Sequence, residues 1–460
     1  MRLTLLSFSL LALSISALAQ PQIKARSSSI PGVMKTAYPP EWAATSNIYE
    51  VNIRQYTPSG TINEFSTHLE RLHNMGVEIL WVMPIQPIGK EKRKGSLGSY
   101  YSIKDYMAVN PEMGTMEDWV NLVNKAHSLG MKVILDWVAN HTAFDHAWIK
   151  NHPEYYNKND KGEIKSPVDD WADVADLNYD NANMRAAMID AMKFWMKASN
   201  IDGFRCDVAF MVPVDFWQDT RRQLEQMHPG TFMLAEAEEA NLHEKAFDMS
   251  YGWSLYHILV DIAANKKTAK DITAYLETKK AFPKNAYHMY FTSNHDENSW
   301  SKSEYDKFGA GVKAFSVLTF GLNGMPLIYS GQEAANAKTI RFFDKDTIDF
   351  SKLPMEAFYS RLLKLKKQEA ALRCGDNGGE MIVLPNGKEE FVFSFLRKKE
   401  NSKVLFVLNL SNKKQKIKLD SPDVAGIAQE IFGAQPESAF KNQIQLNLEP
   451  WQYYVYTYKK

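Results

Sequence analysis

Only two cysteines, Cys206 and Cys374, occur in 460 residues. That is too few for a disulfide framework and fits no zinc-ligand spacing, which argues against metal–thiolate chemistry. Neither sign of charge is in excess, since Lys plus Arg and Asp plus Glu both number 54. With no basic face or acidic tail to expect, a nucleic-acid partner is not expected either. After Leu18 no apolar run is long enough to span a bilayer. A Gly-rich phosphate loop is missing, as is a Ser or Cys nucleophile with a matched His. No organic cofactor is expected.

What the N-terminus does have is Arg2, an apolar run from Leu3 to Leu18, and the ending Ala17-Leu18-Ala19. This is the layout of a signal peptide over residues 1–19, with cleavage before Gln20. A membrane anchor is the competing reading, and the small residues at Ala17 and Ala19 favour cleavage. The mature chain is then expected to be exported, without a membrane anchor, to a periplasm or the medium. Residues 20–44 form a lead-in.

From residue 45 to about 375 short apolar runs alternate with amphipathic stretches. The runs are Ile48–Tyr56, Val77–Pro84, Lys132–Trp137, Ile201–Val208, Phe232–Glu236, Ala246–Tyr251, His288–Thr292 and Pro326–Tyr329. Near-continuous hydrophobicity suits parallel strands covered on both faces. Thr115 with Asp118 predicts a helix start, Trp119, Leu122, Val123 and Ala126 its apolar stripe, and Gly130 its end. Eight strands alternating with helices predict an α/β fold, the (β/α)8 or TIM barrel, in two parts at 45–141 and 181–375. Between them, residues 142–180 are rich in Asp, Asn, Lys, Tyr and Trp and read as a short excursion after the third strand. Over 376–460 period-2 alternation (Phe391, Phe393 and Phe395; Val404–Leu410; Ile444, Leu446 and Leu448) predicts a C-terminal antiparallel β-sandwich domain. The lysine-rich run Lys413–Lys418 reads as a solvated strand face.

Reactive groups of a parallel barrel collect at the carboxyl ends of its strands. Four strand ends here carry Asp136 and His141, Arg205 and Asp207, Glu236, and His295 with Asp296. Separate structural ion pairs would not place every acid at the same end. Several carboxylates with histidines and one arginine suit glycosidic bond cleavage, in which one acid is protonated and another ionised. A metal site built from Asp and His is the rival use, against which the guanidinium of Arg205 argues.

These segments resemble, in order, the motifs of the α-amylase family of glycoside hydrolases. They are Asp136-x-x-x-Asn140-His141, Gly203-Phe204-Arg205-x-Asp207, Glu236, and Asn294-His295-Asp296. Asp176-Leu177-Asn178 and Gly324–Glu333 resemble two further motifs of that family. The resemblance implies Asp207 as nucleophile, Glu236 as general acid/base and Asp296 as the carboxylate that binds and distorts the reacting sugar. It further implies that Arg205, His141 and His295 donate to sugar hydroxyls, that Tyr101 stacks on the ring, and that Asp136 supports Arg205. Glu238 and Glu239, close to Glu236, read as rim residues. Phe210 and Met211 stand where starch-degrading members often have Lys-His, which leaves calcium in question. Asn140 is a candidate calcium ligand and, with equal weight, an amide bonded to loop backbone. Trp171, Trp253 and Trp300 are candidates for stacking on sugars in the cleft and, with greater weight, read as packing.

The implied function is retaining hydrolysis of α-glucosidic bonds in starch-derived glucans or maltooligosaccharides, with the reactive carboxyls about 5–5.5 Å apart. Transglycosylation by the same covalent route and a non-catalytic glucan-binding role are the alternatives.

Overall fold

Apolar side chains on both faces of a short strand are buried only where the sheet is covered on both sides. In the computed structural model, which describes residues 39–433 and 437–459, eight such strands close into a barrel. They are β1 Ile48–Val51, β2 Ile79–Val82, β3 Lys132–Trp137, β4 Gly203–Cys206, β5 Phe232–Ala235, β6 Met249–Tyr251, β7 Tyr287–Tyr290 and β8 Met325–Tyr329. Neighbours follow the ring order β1-β8-β7-β6-β5-β4-β3-β2, all parallel. Lys132 aside, every residue of these strands is buried. The signal segment and most of the lead-in lie outside the described residues. No helix among the described residues is long and apolar enough to cross a membrane.

The strands are shorter than the apolar runs. The first run continues to Tyr56, but β1 stops at Val51 and Ile53–Tyr56 is a helical turn. Ile53 and Tyr56 are buried there at helical spacing, which a short apolar run does not distinguish from a strand. One ladder bond continues beyond two other strands, from Asp207 N to Trp137 O and from Glu236 N to Cys206 O. Those bonds fix the backbone of two acids just where the sheet ends. Gly203 is needed for close approach, because a Cβ there would stand 1.9 Å from Phe232 O.

The Met116–Ser128 helix forms as its sequence predicts. Thr115 and Asp118 make both bonds of the capping box, Trp119, Leu122, Val123 and Ala126 are buried, and Gly130 has φ 78°. In the excursion His141–Ala143 pairs antiparallel with Val174–Asp176, so both ends of the segment return to the barrel mouth.

The C-terminal part stacks a six-stranded antiparallel sheet on the pair Gln415–Asp420 and Gln443–Leu448. Between them lie Leu396, Leu405, Ile417, Leu419 and Ile444. Phe393, Phe395 and Phe406 join the barrel core through the other face. Phe391 precedes the strand Val392–Lys399 and packs with the inner cluster, so the expected alternation starts two residues later. Lys416 and Lys418 are exposed between buried Ile417 and Leu419, as a solvated strand face requires. Arg397 is fully buried and donates to the carbonyls of Gly379, Gly321 and Arg373, tying this part to the barrel. Cys206 and Cys374 are buried free thiols.

Candidate active site

Asp136 ends the apolar stretch of β3 and lies in register with Arg205 on β4. Both are fully buried, so each charge needs compensation. Arg205 Nη1 donates to Asp136 Oδ1 at 2.9 Å and to Asp207 Oδ1 at 3.0 Å. Its Nη2 lies 2.7 Å from Glu236 Oε2, and its Nε donates to Tyr251 OH at 3.1 Å. One guanidinium therefore organises three carboxylates from three adjacent strands. Trp81 Nε1 and Tyr101 OH complete the shell of Asp136 Oδ2, at 3.0 and 3.1 Å.

These contacts correct one expectation. Arg205 has no exposed surface and all its nitrogens face protein partners, so it positions the carboxylates instead of donating to sugar hydroxyls. The other expected residues do meet at one place. Tyr101, His141, Asp207, Glu236, His295 and Asp296 line a cavity of about 640 Å³ at the barrel mouth. Glu238 instead accepts from Ser254 and pairs with Lys279, and Glu239 is exposed, so Glu236 is the acid of its cluster that faces the cavity.

Burial and the charge of Glu236 push the Asp207 carboxyl well up from the usual range. Burial also raises Glu236, but Arg205 and the amide of Val208, 2.8 Å from Oε2, outweigh it and hold that carboxyl low. The two carboxyls are near enough for the charge of one to bear on the protonation of the other. Val208, whose amide points at Glu236, has φ 36°, in the left-handed region that a β-branched residue rarely adopts.

His295 is held from both sides. Its Nδ1 lies 2.5 Å from Glu50 Oε1, and its Nε2 lies 2.7 Å from Tyr101 OH and 3.3 Å from Asp296 Oδ2. Burial lowers its pKa, but Asp296 and Glu50 prevail and carry it up to about 9. Glu50, fully buried on β1, is a site residue that the sequence reading missed. Its signal was a lone acid inside an otherwise apolar barrel strand. Because the folded value lies above the ordinary 6.5, the cation adds stability below that pH, and this contribution is lost as pH rises through about 9. Imidazole NMR is expected to show His295 titrating near 9, and at lower pH in Glu50→Gln, where one supporting charge is gone. An unmoved titration would exclude Glu50 as the cause.

His141 is the opposite case, with burial lowering it to about 4, so it is neutral at ordinary pH. Asn140 Nδ2 lies 3.2 Å from His141 Nδ1, which leaves the ring proton on Nε2. Asn140 thus orients His141. Near it, Asp173 pairs with Lys94, and Asp176 with Lys165 and Asn157. Among the described residues no three His, Cys, Asp or Glu side chains are grouped to hold a metal.

Two of the tryptophans read as packing, Trp171 and Trp300, line the cavity, together with Lys94, Phe342 and Phe343. Trp253 does pack, stacked 5.3 Å from Tyr251.

Residues 37–172 and 168–359 match the family described as Alpha amylase, catalytic domain, and residues 381–455 that described as Maltogenic Amylase, C-terminal domain. Alpha-amylase MalA of Haloarcula japonica is 26% identical over 392 residues, which cover 81% of this chain and 56% of that protein. The chain thus spans little more than half the length of this relative. The solved structure of a noncanonic maltogenic alpha-amylase, AmyB from Thermotoga neapolitana, superposes with a TM-score of 0.83 at 28% identity, covering 91% of this chain and 99% of that one. An alpha-amylase from Lactobacillus plantarum gives 0.81 at 29%, with the same coverage. With its barrel, its terminal sheets and most of its length matched, the chain belongs to the α-amylase family.

Proposed function

We propose that this protein is an exported, retaining hydrolase of α-glucosidic bonds in starch-derived glucans or maltooligosaccharides. The observation that carries the reading is the convergence of Asp207, Glu236 and Asp296 on one cavity above a single buried guanidinium. Retention requires the two reactive carboxyls to stand about 5–5.5 Å apart, without room for the water that an inverting enzyme places between them. The α-amylase names of the relatives support an α-glucan substrate.

In the reaction, Glu236 gives its proton to the glycosidic oxygen as the C1–O bond breaks, and the leaving sugar departs as an alcohol. The Asp207 carboxylate attacks C1 from the opposite face and forms a covalent glycosyl ester. Glu236, now ionised, takes a proton from water, whose oxygen displaces Asp207 and restores the α configuration. This sequence needs Glu236 protonated and Asp207 ionised, the reverse of what burial and Arg205 favour in the free protein. A glycosidic oxygen seated against Glu236 accepts a hydrogen bond only from the protonated acid and so favours the proton there, while Arg205 stabilises the charge on Asp207. Asp296 and the cationic His295 bind hydroxyls of the reacting ring, neutral His141 donates from Nε2, and Tyr101 stacks beneath it. No step runs through calcium.

A maltooligosaccharide ladder, followed by chromatography and anomeric NMR, tests the reading. Shorter products with the α anomer formed first are the expected result. Products longer than the substrate would make it a transglycosylase, and β products would remove the mechanism. Binding without turnover would leave a glucan-binding protein.

A further inference from the structure

The loop that carries His295 and Asp296 runs from Thr292, just past β7, to Ser303, and its two ends meet at one buried carboxyl. Glu304 opens the helix Glu304–Phe308 and is buried. Its Oε2 accepts from Thr292 Oγ1 at 3.0 Å and from Gln332 Nε2 at 2.6 Å. Gln332 also donates to Thr292 Oγ1 at 2.9 Å and to Tyr359 OH at 3.2 Å, while its Oε1 accepts from Tyr329 N at 2.7 Å. The ends of β7 and β8 and the helices Glu304–Phe308 and Glu356–Gln368 are thus joined at this point. Within the loop, Asn294 Oδ1 accepts from Glu297 N at 2.8 Å and Asn294 O from Asn298 N at 3.0 Å. With its base closed and its first turn fixed, the loop has little freedom to reorient Asp296.

The clasp is built for a neutral acid. Both donors to Glu304 are uncharged, and its Oε1 is buried without a partner among the described residues. An ionised carboxylate would leave that oxygen bare, at a desolvation cost that the protonated form avoids. The ionisable groups that face it are phenols kept neutral by burial. They are Tyr305 on its own helix, Tyr256 on the helix Trp253–Ala263 and Tyr359 on Glu356–Gln368. The charged groups of the neighbouring elements are engaged elsewhere. Lys307 pairs with Glu297 at 2.7 Å, Glu333 with Arg71 at 2.9 Å, Asp306 accepts from Ser303, and exposed Lys313 lies over Phe358. Burial therefore carries the Glu304 carboxyl up to about 7, and the bonds from Gln332 and Thr292 offset only part of the rise. Ionisation strengthens the hold of Oε2 on its donors but is accommodated only if water reaches Oε1, which parts the packing under the loop.

We propose that Glu304 is a positioning residue for the reaction: as a neutral acid it clasps the loop that holds His295 and Asp296 against the reacting sugar, and its ionisation loosens the loop and slows turnover. This rests on the hydrolase reading above and adds regulation by pH to the same site.

The test measures kcat and KM on a maltooligosaccharide between about pH 5 and 9, for the full protein and for Glu304→Gln, a neutral side chain of the same shape. At about pH 5.5 the two are expected to have similar kcat, because Glu304 is then protonated. One pH unit above its midpoint only about a tenth of Glu304 keeps its proton. The ratio of kcat in the variant to that in the parent is therefore expected to rise toward about ten near pH 8, with KM little changed.

Stability gives a second reading. Because the folded value lies above the ordinary 4.5, the contribution of the neutral acid is full below that pH and is lost as pH rises through about 7. Over this window the melting temperature of the parent is expected to fall relative to that of Glu304→Gln. Thr292→Val leaves Glu304 in place and deletes one of the two bonds that favour the carboxylate, so the alkaline limb is expected to move to higher pH. A kcat ratio that is the same at every pH would reduce Glu304 to a structural part and overturn the proposal, as would a limb unmoved in both variants. Failure of the parent to turn over at any pH, with the melting difference present, would overturn the hydrolase reading and this role with it.

Discussion

Asp207→Asn is expected to lower kcat on maltooligosaccharides by a factor on the order of 10⁴ or more. Asparagine keeps the shape of the side chain and can still accept from Arg205 Nη1, 3.0 Å away. What it lacks is a carboxylate able to form the ester with C1. Arg205 retains Asp136 and Glu236 as counter-charges, so the buried cation is not stranded and the fold is expected to survive. Initial rates on a maltooligosaccharide, with a melting curve for each protein, give the comparison. Folded Asp207→Asn with turnover within about a hundredfold of the parent would remove Asp207 as nucleophile.

Glu236→Gln is expected to lose about 10² to 10⁴ in rate on the same substrate, the usual contribution of a positioned general acid. The loss depends on the leaving group, and that dependence identifies the role. A 4-nitrophenolate departs without a proton, so formation of the ester from an aryl glycoside is much less affected. Hydrolysis of the ester still lacks its base, and the intermediate accumulates. Azide, which attacks C1 without giving up a proton, then restores turnover and yields the α-glycosyl azide. Equal losses on sugar and aryl leaving groups, with no azide product, would assign the acid elsewhere. Glu238, bonded to Ser254 and Lys279, is the control position.

The parts of the molecule that were legible in the sequence share a cause. Barrel strands covered on both faces leave continuous apolar runs, and acids at strand ends interrupt those runs at one end only, so Asp207, Glu236 and Asp296 stood out. The end of β1 did not, because Ile53 and Tyr56 satisfy strand and helix periods alike over so few residues. Glu50 and Trp81 were missed for a different reason. Each is a single residue inside a strand, and its partner, His295 or Asp136, comes from a distant part of the chain. Trp300 and Phe342 meet only because three loops are bonded together, a relation that no local spacing records. Arg205 illustrates the remaining limit: its place in a motif was plain, but that Nε and Nη1 bond to Tyr251, Asp136 and Asp207 while Nη2 faces Glu236 is a property of the packed site.

Val208 brings two demands on this protein into opposition. Its left-handed backbone costs on the order of 1–3 kcal/mol and is what aims the amide at Glu236. Glycine there would relieve the strain and make the folded state easier to reach, while freeing the turn that seats the acid. A lineage of this protein selected only for endurance at high temperature has an incentive to relax that turn, and one selected for turnover has an incentive to keep it strained. Val208, beside Asp207, is thus expected to be where heat tolerance and speed are exchanged against each other.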